Sequence, residues 1–307
     1  MPISGFVVAY NRAALLGTCL RSLRFVDQLI VIDKSSTDDT PHIARHHADQ
    51  TITVPWSPTV EETRSLALGH CRHEWIAFLD DDEMLSPAAI EFLRAERCSA
   101  SPDIVALPLR HHILGRFDER AYYWPEHHIR FFRRGTVEFG PTVHGGIKPL
   151  SDRIERIATD SPIRIEHLSH PDTAQWIERT NRYTSRANRA GSAVDATDIS
   201  GFAHRRIDHW LAQSRDSDGN DYQAAVALLR AIYDMVDRLK AWEAEQGIDG
   251  AALFDARCGE LNQAYDELEQ RTGIATGLRD LGTGRGRLLR RLGYLLRPRT
   301  WRYSSGR

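Results

Sequence analysis

A short apolar run that ends in four consecutive acids constrains this chain more than any other feature. Residues 75–79 are apolar, and Asp80, Asp81, Asp82 and Glu83 follow directly. A run this short, bounded by charges, predicts a buried strand of a parallel sheet. Ligands of open α/β sheets bind just beyond the carboxyl ends of such strands. Because adjacent carboxylates repel one another unless water or a cation offsets their charge, we expect a polar site at this strand end.

The four acids admit two interpretations. Asp80 and Asp82, two positions apart, could hold a hard divalent cation such as Mg²⁺ or Mn²⁺, which often shares carboxylate ligands with substrate phosphates. Alternatively, Asp82 or Ser86 caps a helix predicted over residues 87–97, and the acids belong to a solvated loop. The acids alone leave both interpretations open.

Two earlier apolar runs and a third short segment predict further strands. They cover residues 3–9, 29–32 and 51–54, and helical patterns lie between them. Strands that alternate with helices of this length indicate βαβ units and a parallel sheet. Tyr10, Asn11 and Asp33 then lie at the same edge of the sheet as the acids, an arrangement typical of a nucleotide site.

Motifs at these strand ends follow one another in a characteristic order over the first third of the chain. They are Ala9-Tyr10-Asn11-Arg12, Val31-Ile32-Asp33 with residues 36–40, Glu62-Thr63-Arg64 and residues 78–83. In order and spacing they resemble the family 2 glycosyltransferases of GT-A fold. Later segments are similar to a bacterial branch that glycosylates lipopolysaccharide core or related envelope glycans: Tyr123-Trp124-Pro125-Glu126, Ile129-Arg130-Phe131-Phe132-Arg133, Val143-His144, His167-Leu168-Ser169-His170, Asn181-Arg182-Tyr183-Thr184 and Asp218-Gly219.

The resemblance implies an α/β fold of GT-A type. Its sheet is expected to be Rossmann-like and mostly parallel, flanked by helices and followed by a C-terminal helical extension. We predict a nucleotide-sugar transferase domain over residues 1–200, the helical extension over 201–275 and a basic amphipathic tail over 276–307. The resemblance covers residues up to about 240 and leaves the tail unmatched.

The resemblance also implies how the donor is bound. Asp33 would hydrogen-bond the donor base, and Lys34 stands where many relatives carry a second acid. Arg64 would contact the nucleotide, although an ion pair with Glu61 three residues earlier is the alternative. The remaining donor-binding residues would be Ala9, Tyr10, Asn11, Asp80 and Asp81, the last with its side chain directed away from the metal.

A metal would stabilise the charge that develops on the leaving diphosphate. The resemblance implies Mn²⁺ or Mg²⁺, with Asp82 as the direct ligand and Asp80 serving the metal or the donor ribose. His167 follows a strand predicted at residues 163–166 and could complete the metal shell with a nitrogen ligand.

The group that would activate the acceptor departs from the family pattern. Relatives commonly show Val-His-Glu, whereas this chain has Gly145 after His144. An inverting transferase that works by direct displacement needs a proton acceptor within reach of the attacking hydroxyl. We take His144 and Glu126 as the candidate catalytic residues, with Glu138 and Asp118 as alternatives.

Composition is that of a cytoplasmic enzyme. The chain has 307 residues, 41% of them hydrophobic, and a net charge of −2 that gives no reason to expect nucleic-acid binding. Its four cysteines are scattered without a C-x-x-C pair, so neither a zinc site nor a disulfide framework is expected. The predicted first strand begins almost at residue 1, which leaves no room for a signal peptide. No apolar run approaches the ~18 residues of a membrane span.

The C-terminal region has its own pattern. Two helices, predicted over residues 221–243 and 250–271, are expected to form a hairpin, and the apolar stripe of the first is typical of a core or a dimer seam. The segment from Arg279 onward contains nine arginines and one acid, Asp280, with leucines and Trp301 interleaved among the arginines. Such a segment suits an anionic membrane surface at the inner face of the membrane, although a disordered tail or a homodimer contact would have the same composition.

These patterns predict a metal-dependent glycosyltransferase. It would move a sugar from a nucleotide-diphosphate donor to an envelope glycan, a lipid-linked acceptor or another hydroxyl-bearing acceptor, with inversion. One alternative is a non-catalytic nucleotide-binding protein on a transferase fold. Another is a sugar nucleotidyltransferase, which should carry a Gly-rich basic loop that residues 9–17 lack.

Overall fold

The computed structural model describes residues 1–57, 60–95, 101–140, 147–185, 198–214 and 221–274. The strands are β1 (Ile3–Ala9), β2 (Gln28–Asp33), β3 (Gln50–Thr53), β4 (Trp75–Asp80), β5 (Glu83–Leu85), β6 (Ile104–Ile113), β7 (His127–Arg133), β8 (Val137–Phe139), β9 (Ile147–Pro149), β10 (Ile154–Arg156) and β11 (Ile165–His170). The helices are α1 (Ala13–Ser22), α2 (Thr40–His47), α3 (Glu61–His70), α4 (Pro87–Arg94), α5 (Thr173–Thr184), α6 (Ile199–Gln213), α7 (Asp221–Glu245) and α8 (Gly250–Thr272).

The main sheet has nine strands in the order β3-β2-β1-β4-β7-β6-β11-β5, with β10 paired to β6. Strands β1 to β4 pair in parallel, and β6 runs parallel to β10 and β11. Because β7 is antiparallel to both β4 and β6, those two groups point the same way, and only β7 and β5 of this sheet oppose them. The predicted α/β class, with a mostly parallel sheet flanked by helices, is confirmed.

Both faces of β1 and β4 are buried, which explains why their sequences are mostly apolar. Successive residues of β1 alternate between the faces, as a strand requires. Val7 joins the core under α1, α2 and α4, while Phe6 joins the core on the α3 side and stacks on Phe78 with 5.0 Å between ring centroids. The sheet is therefore held from both sides at the strands that end in the predicted site.

The register of the sheet brings the polar strand ends together. Ala9 pairs with Asp33, Asp33 pairs with Thr53, and Val8 pairs with Asp80. The strands thus end at nearly the same level, which confirms the expectation that their polar ends share one edge. The apolar runs predicted as strands are all strands, with ends shifted by at most one residue.

One predicted strand is placed differently. The pattern at residues 163–166 predicted a strand that ends just before His167, whereas β11 begins at Ile165 and continues to His170. The reason is its pairing on both sides, since Ile165 lies opposite Leu109 of β6 and Leu85 of β5. His167 therefore lies within the strand. The predicted cap is confirmed, because Ser86 Oγ accepts a hydrogen bond from Ala89 N at 3.1 Å at the start of α4.

Helices α5, α6 and α7 complete the first of two compact units, which comprises Met1–Glu245. Val226 and Leu229 of the α7 stripe are core residues, and Trp176 Nε1 of α5 donates to Leu229 O at 3.0 Å. Leu239, in the same stripe, is exposed. Part of the stripe is therefore core, as one of its two interpretations predicted.

The second unit comprises Gln246–Arg307 and contains α8. Both helices predicted in the C-terminal region are present, although the sequence boundaries at residues 200 and 275 stay predictions. Residues 279–307 lie outside the described part of the chain. Of the helices described, none combines the length and the apolar character that crossing a membrane requires. The thiols of Cys19 and Cys71 are free and buried.

Candidate functional site

Asp80, at the end of β4, lies between two arginines from other elements. It accepts a hydrogen bond from Arg64 on α3 and another from Arg130 on β7, with 3.0 Å between Arg130 Nη2 and Asp80 Oδ2. Burial by itself would raise the pKa of Asp80, but the charges of the two arginines and the bond from Arg64 outweigh it and lower that pKa to about 2. The predicted alternative for Arg64, an ion pair with Glu61, stays a prediction, because the Glu61 side chain lies outside the described part of the structure.

Arg130 is itself fixed by Glu83. Two bonds of 2.7 Å, from Nε to Oε2 and from Nη2 to Oε1, join the side chains in a bidentate pair that is almost fully buried. Glu83 Oε2 also accepts from the backbone N of Asp80 at 3.1 Å. The last of the four acids is therefore a structural anchor for the arginine that reaches the first, since fork-to-fork pairs of this type are both strong and directional.

Asp81 turns toward the β1–α1 connection. Its carboxylate accepts from the backbone N of Tyr10 at 3.1 Å and from Arg12 Nε at 3.0 Å. Burial and the neighbouring charge of Asp82 raise its pKa to about 6, against the opposing charge of Arg12. The middle acid thus ties β4 to the turn that follows β1.

Asp82 lies among one imidazole and two guanidinium groups. His167 Nε2 lies 3.2 Å from its Oδ1, while Arg179 Nη2 and Arg12 Nη2 lie 3.2 and 3.4 Å from its Oδ2. Burial alone would raise the pKa of Asp82, but His167 and the two arginines lower it well below its usual range. The carboxylate is therefore ionised at neutral pH.

The pair formed by Asp82 Oδ1 and His167 Nε2 fits a divalent cation. A carboxylate oxygen and an imidazole nitrogen at this separation suit Mn²⁺ or a related ion. Within the described segments, no group of three or more His, Cys, Asp or Glu side chains is placed to hold a metal. Phosphate oxygens of a substrate would complete the shell, as they commonly do for ions held by one or two protein carboxylates.

A chain of hydrogen bonds runs from this pair to Glu126. His167 Nδ1 lies 2.8 Å from His111 Nδ1, His111 Nε2 lies 2.7 Å from Glu126 Oε2, and His128 Nε2 lies 2.8 Å from Glu126 Oε1. The ionised Glu126 accepts from both imidazoles, so His111 carries its proton on Nε2 and accepts at Nδ1. His167 must then donate from Nδ1. Its Nε2 faces the ionised Asp82 and donates as well, so the imidazole carries a proton on both ring nitrogens.

The pKa shifts agree with that assignment of protons. Burial lowers the pKa of His167, but the charge of Asp82 and the bond to it outweigh burial and raise the value. The pKa of His111 is lowered, chiefly by burial. Bonds from His111 and His128 lower the pKa of Glu126 far below its usual range despite its burial. A cationic His167, a neutral His111 and an ionised Glu126 result.

On the other side of the acids, Asn11 joins two loops. Its N donates to Ser36 Oγ at 3.0 Å, and its Oδ1 accepts from Thr37 N at 2.7 Å. Its φ of 48° lies in the left-handed region, which asparagine tolerates better than most residues. The adjacent Asp33 is buried, and its Oδ1 accepts from Ser36 N at 3.2 Å. Both predicted donor-binding side chains therefore also fix the loop after β2.

A cleft of about 470 Å³ opens beside Arg12, between the start of α1 and the β11–α5 connection. Its volume is in the range of small-molecule sites. Its lining combines apolar and polar groups: Asn11, Arg12, Ala13, Ala14, Leu15, Asp38, His112, Gly115, Leu168, His170, Pro171 and Gln175. Burial and the charges of Arg179 and His167 lower the pKa of His170 to about 3, so this imidazole is neutral.

The structure thus gathers most of the predicted residues at one sheet edge. Those at this edge are Ala9, Tyr10, Asn11, Asp33, Arg64, Asp80, Asp81, Asp82 and His167. Glu126 is connected to them by the hydrogen bonds through His111 and His167. His144 lies outside the described residues, as does Gly145. Asp118 is engaged in a loop, accepting from Arg120 N at 2.9 Å and from Gln223 Nε2 at 3.2 Å.

Sequence reasoning missed several of these participants. They are Arg12, Arg130 and Arg179 around the acids, His111 and His128 beside Glu126, and Trp56, whose ring lies near Tyr10. Arg12 and Arg130 stood within the recognised motifs but carried no assigned role. The others reach the site through the packing of strands, helices and loops, which no local sequence pattern predicts.

Comparisons with known proteins give the following similarities. A model for the family "Glycosyl transferase family 2" matches residues 4–151. The lipopolysaccharide core biosynthesis glycosyltransferase LpsC of Rhizobium meliloti (strain 1021) is 29% identical over 163 residues, which are 48% of this chain and 58% of that protein. The uncharacterized glycosyltransferase RP128 of Rickettsia prowazekii (strain Madrid E) is 38% identical over 85 residues, 27% of this chain and 29% of that protein. The chain thus spans little more than half the length of the first and less than a third of the second.

Solved structures show weaker similarity. S. aureus TarS 1-349 in complex with UDP has a TM-score of 0.38 and 14% identity over 81% of this chain and 92% of that chain. Glucosyl-3-phosphoglycerate synthase from Mycobacterium tuberculosis, in complex with Mn²⁺, UDP and phosphoglyceric acid, has a TM-score of 0.30 and 23% identity over 36% of this chain and 43% of that chain.

Proposed function

We propose that this chain is a metal-dependent glycosyltransferase of family 2, and the match of that family's model to residues 4–151 supports the proposal. It moves a sugar from a nucleotide-diphosphate donor to a hydroxyl-bearing acceptor. One observation carries the proposal: Asp82, ionised and 3.2 Å from His167, lies at the sheet edge where β1, β2 and β4 end in register.

The donor is proposed to lie along that edge. Its base would lie near Tyr10 and Asp33, and its diphosphate near the acids, where Arg12 and Arg64 provide positive charge. Asp82 and His167 would hold Mn²⁺ or Mg²⁺. When bound, the ion stabilises the charge that develops as the diphosphate leaves. His167 must release its Nε2 proton to become a ligand, so metal binding would release a proton.

The acceptor is proposed to enter from the side of β6 and β11, where the cleft beside Arg12 opens. Relatedness to a protein of lipopolysaccharide core biosynthesis supports an envelope glycan or its lipid-linked precursor as acceptor. Contact with a membrane surface through residues 279–307, at the cytoplasmic face, and a homodimer are further parts of the proposal.

Proton transfer from the acceptor is assigned to His144 or to the chain that ends at Glu126. A good general base has a pKa near the working pH. Glu126 is far more acidic than that, which favours a role in orienting His111 and His128 over direct abstraction of the proton. Inversion at the sugar carbon remains part of the proposal, as direct displacement requires.

Donor hydrolysis tests the proposal. The chain is incubated with a panel of nucleotide sugars and Mn²⁺, with and without EDTA, and the released nucleoside diphosphate is measured. Turnover of one donor that stops with EDTA supports the transferase. Binding of a nucleoside diphosphate without turnover of any donor would favour a non-catalytic binding protein. Formation of a nucleotide sugar from a nucleoside triphosphate and a sugar phosphate would favour a nucleotidyltransferase.

A further inference from the structure

Trp56 and Tyr10 form an aromatic pair across the end of β2. Their ring centroids lie 6.0 Å apart, with the planes at 53°. Tyr10 directly follows β1, Trp56 follows β3 by three residues, and β2 lies between those strands in the sheet. The pair therefore spans the end of β2, where Asp33 is.

Trp56 and Asp33, which both lie at the end of β2, differ in solvent exposure. Trp56 is 49% exposed, whereas Asp33 is 2% exposed. A single exposed aromatic is ordinary on a protein surface and needs no explanation by itself. Here, however, the exposed indole follows a segment that is bonded to the end of β2, since Val54 N donates to Asp33 O at 2.9 Å. The position of Trp56, rather than its exposure alone, makes it a candidate for contact with a ligand.

The segment that carries Trp56 is tied to the loop after β2. Ser35 Oγ donates to Val54 O at 2.7 Å, and Lys34 Nζ donates to Ser57 O. Lys34 is buried, and it occupies the position where the resembled family commonly has an acid. The bond from Lys34 after Trp56 and the bond from Ser35 before it hold the backbone on both sides of the indole.

We propose that Trp56 is a stacking residue for the nucleobase of the donor. This inference rests on the proposed function and adds to it the residue that contacts the flat face of the base. Stacking on an aromatic ring tolerates every base, because each presents a π-face, and its loss typically weakens binding between about 5-fold and 160-fold. Trp56 therefore contributes affinity, while discrimination between bases is left to hydrogen bonds from neighbouring groups.

Calorimetry on the full chain tests the assignment. The ligand is the tightest binder among UDP, GDP, ADP, CDP and dTDP, and inorganic pyrophosphate is the probe without a base. Trp56→Ala should weaken binding of the nucleotide about ten-fold or more and leave pyrophosphate unchanged. Trp56→Phe should retain most of the affinity. Leu239→Ala, at a side chain of similar exposure (43%) on α7, should change neither.

Tryptophan fluorescence gives a second readout. The chain has seven tryptophans, so quenching by the nucleotide in the wild type that disappears in Trp56→Phe identifies the indole that contacts the base. Equal nucleotide affinity in wild type and Trp56→Ala would overturn this inference and leave the proposed function standing. Equal weakening of nucleotide and pyrophosphate would overturn it as well, because the damage would not depend on the base. A wild type that binds none of the five nucleotides would overturn both proposals together.

Discussion

Asp82 and His167 face each other from two segments that backbone pairing holds together. Their Oδ1 and Nε2 atoms lie 3.2 Å apart, and the adjacent Leu168 N donates to Asp82 O at 2.8 Å. His167 also pairs with Glu83 of β5 in the antiparallel ladder. Backbone pairing therefore fixes the positions of the two side chains, and a site built on such rigid elements would be preorganised for the proposed metal.

The first prediction separates the two neighbouring acids of this turn. Asp82→Asn should abolish metal-dependent binding of the donor nucleotide, because the ionised oxygen facing His167 is lost. Asp81→Asn should be much milder, since Asp81 bonds to Tyr10 N and Arg12 instead. Titration calorimetry with and without Mn²⁺ measures both, and thermal unfolding checks that each variant is folded. Equal losses would show that the register of the acids has been misassigned.

The second prediction concerns Asp33. Asp33→Ala should weaken binding of a bare nucleoside diphosphate about ten-fold or more, because a hydrogen bond to a charged group contributes about 1.5–3 kcal/mol. Affinity for pyrophosphate should hardly change. Asp39→Ala provides the matched control, since Asp39 is exposed and makes no side-chain cap bond at the start of α2. Unchanged affinity in the Asp33 variant would remove this residue from the base pocket.

Strands and strand ends could be predicted from the sequence because each is signalled locally. Each apolar run, such as those of β1 and β4, and the polar residues after it lie within about ten consecutive positions. Parallel pairing then places Asp33 beside Ala9. The partners of the acids could not be predicted that way. Arg179 reaches Asp82 across 97 positions, and His111 meets His167 across 56. Those contacts depend on β6 lying between β7 and β11, an order that no local pattern encodes.

The third prediction concerns stability. Glu83 and Arg130 are 1% and 5% exposed, so Arg130→Met leaves a buried carboxylate without its main partner. Removing one member of a buried ion pair costs about 3–5 kcal/mol, and urea unfolding should show a loss of that size. The double variant Glu83→Leu/Arg130→Met should lose less than the sum of the single changes. Arg94→Met is the control, because its pair with Asp27 is exposed and such pairs contribute about 0–1 kcal/mol.

The fourth prediction is a pH dependence. Burial and the charge of Asp82 raise the pKa of Asp81 from 3.8 to about 6. Between those values the folded chain holds a proton that the unfolded chain has released, so stability falls as pH rises through this window. Asp81→Asn cannot titrate. Relative to this variant, the wild type should therefore become less stable between about pH 4 and pH 6, losing at most roughly 1.4 kcal/mol per pH unit.

Urea unfolding of both proteins at several pH values, in EDTA, measures that difference directly. Every other titratable group of the chain is present in both proteins, so its contribution largely cancels in the comparison. Parallel stability curves for wild type and Asp81→Asn would contradict the raised pKa.

The last prediction concerns residues 279–307. If this basic segment docks on an anionic surface, deleting it should release the protein from acidic liposomes and leave hydrolysis of a soluble donor unchanged. Attraction between exposed charges is screened over about 8 Å at physiological ionic strength, so binding of the full chain should fall steeply as salt rises. Burial of the leucines and Trp301 would leave a fraction of the binding that salt does not remove. If the segment instead closes a homodimer, deletion should halve the mass measured by sedimentation, and the full chain should not bind liposomes at any salt concentration.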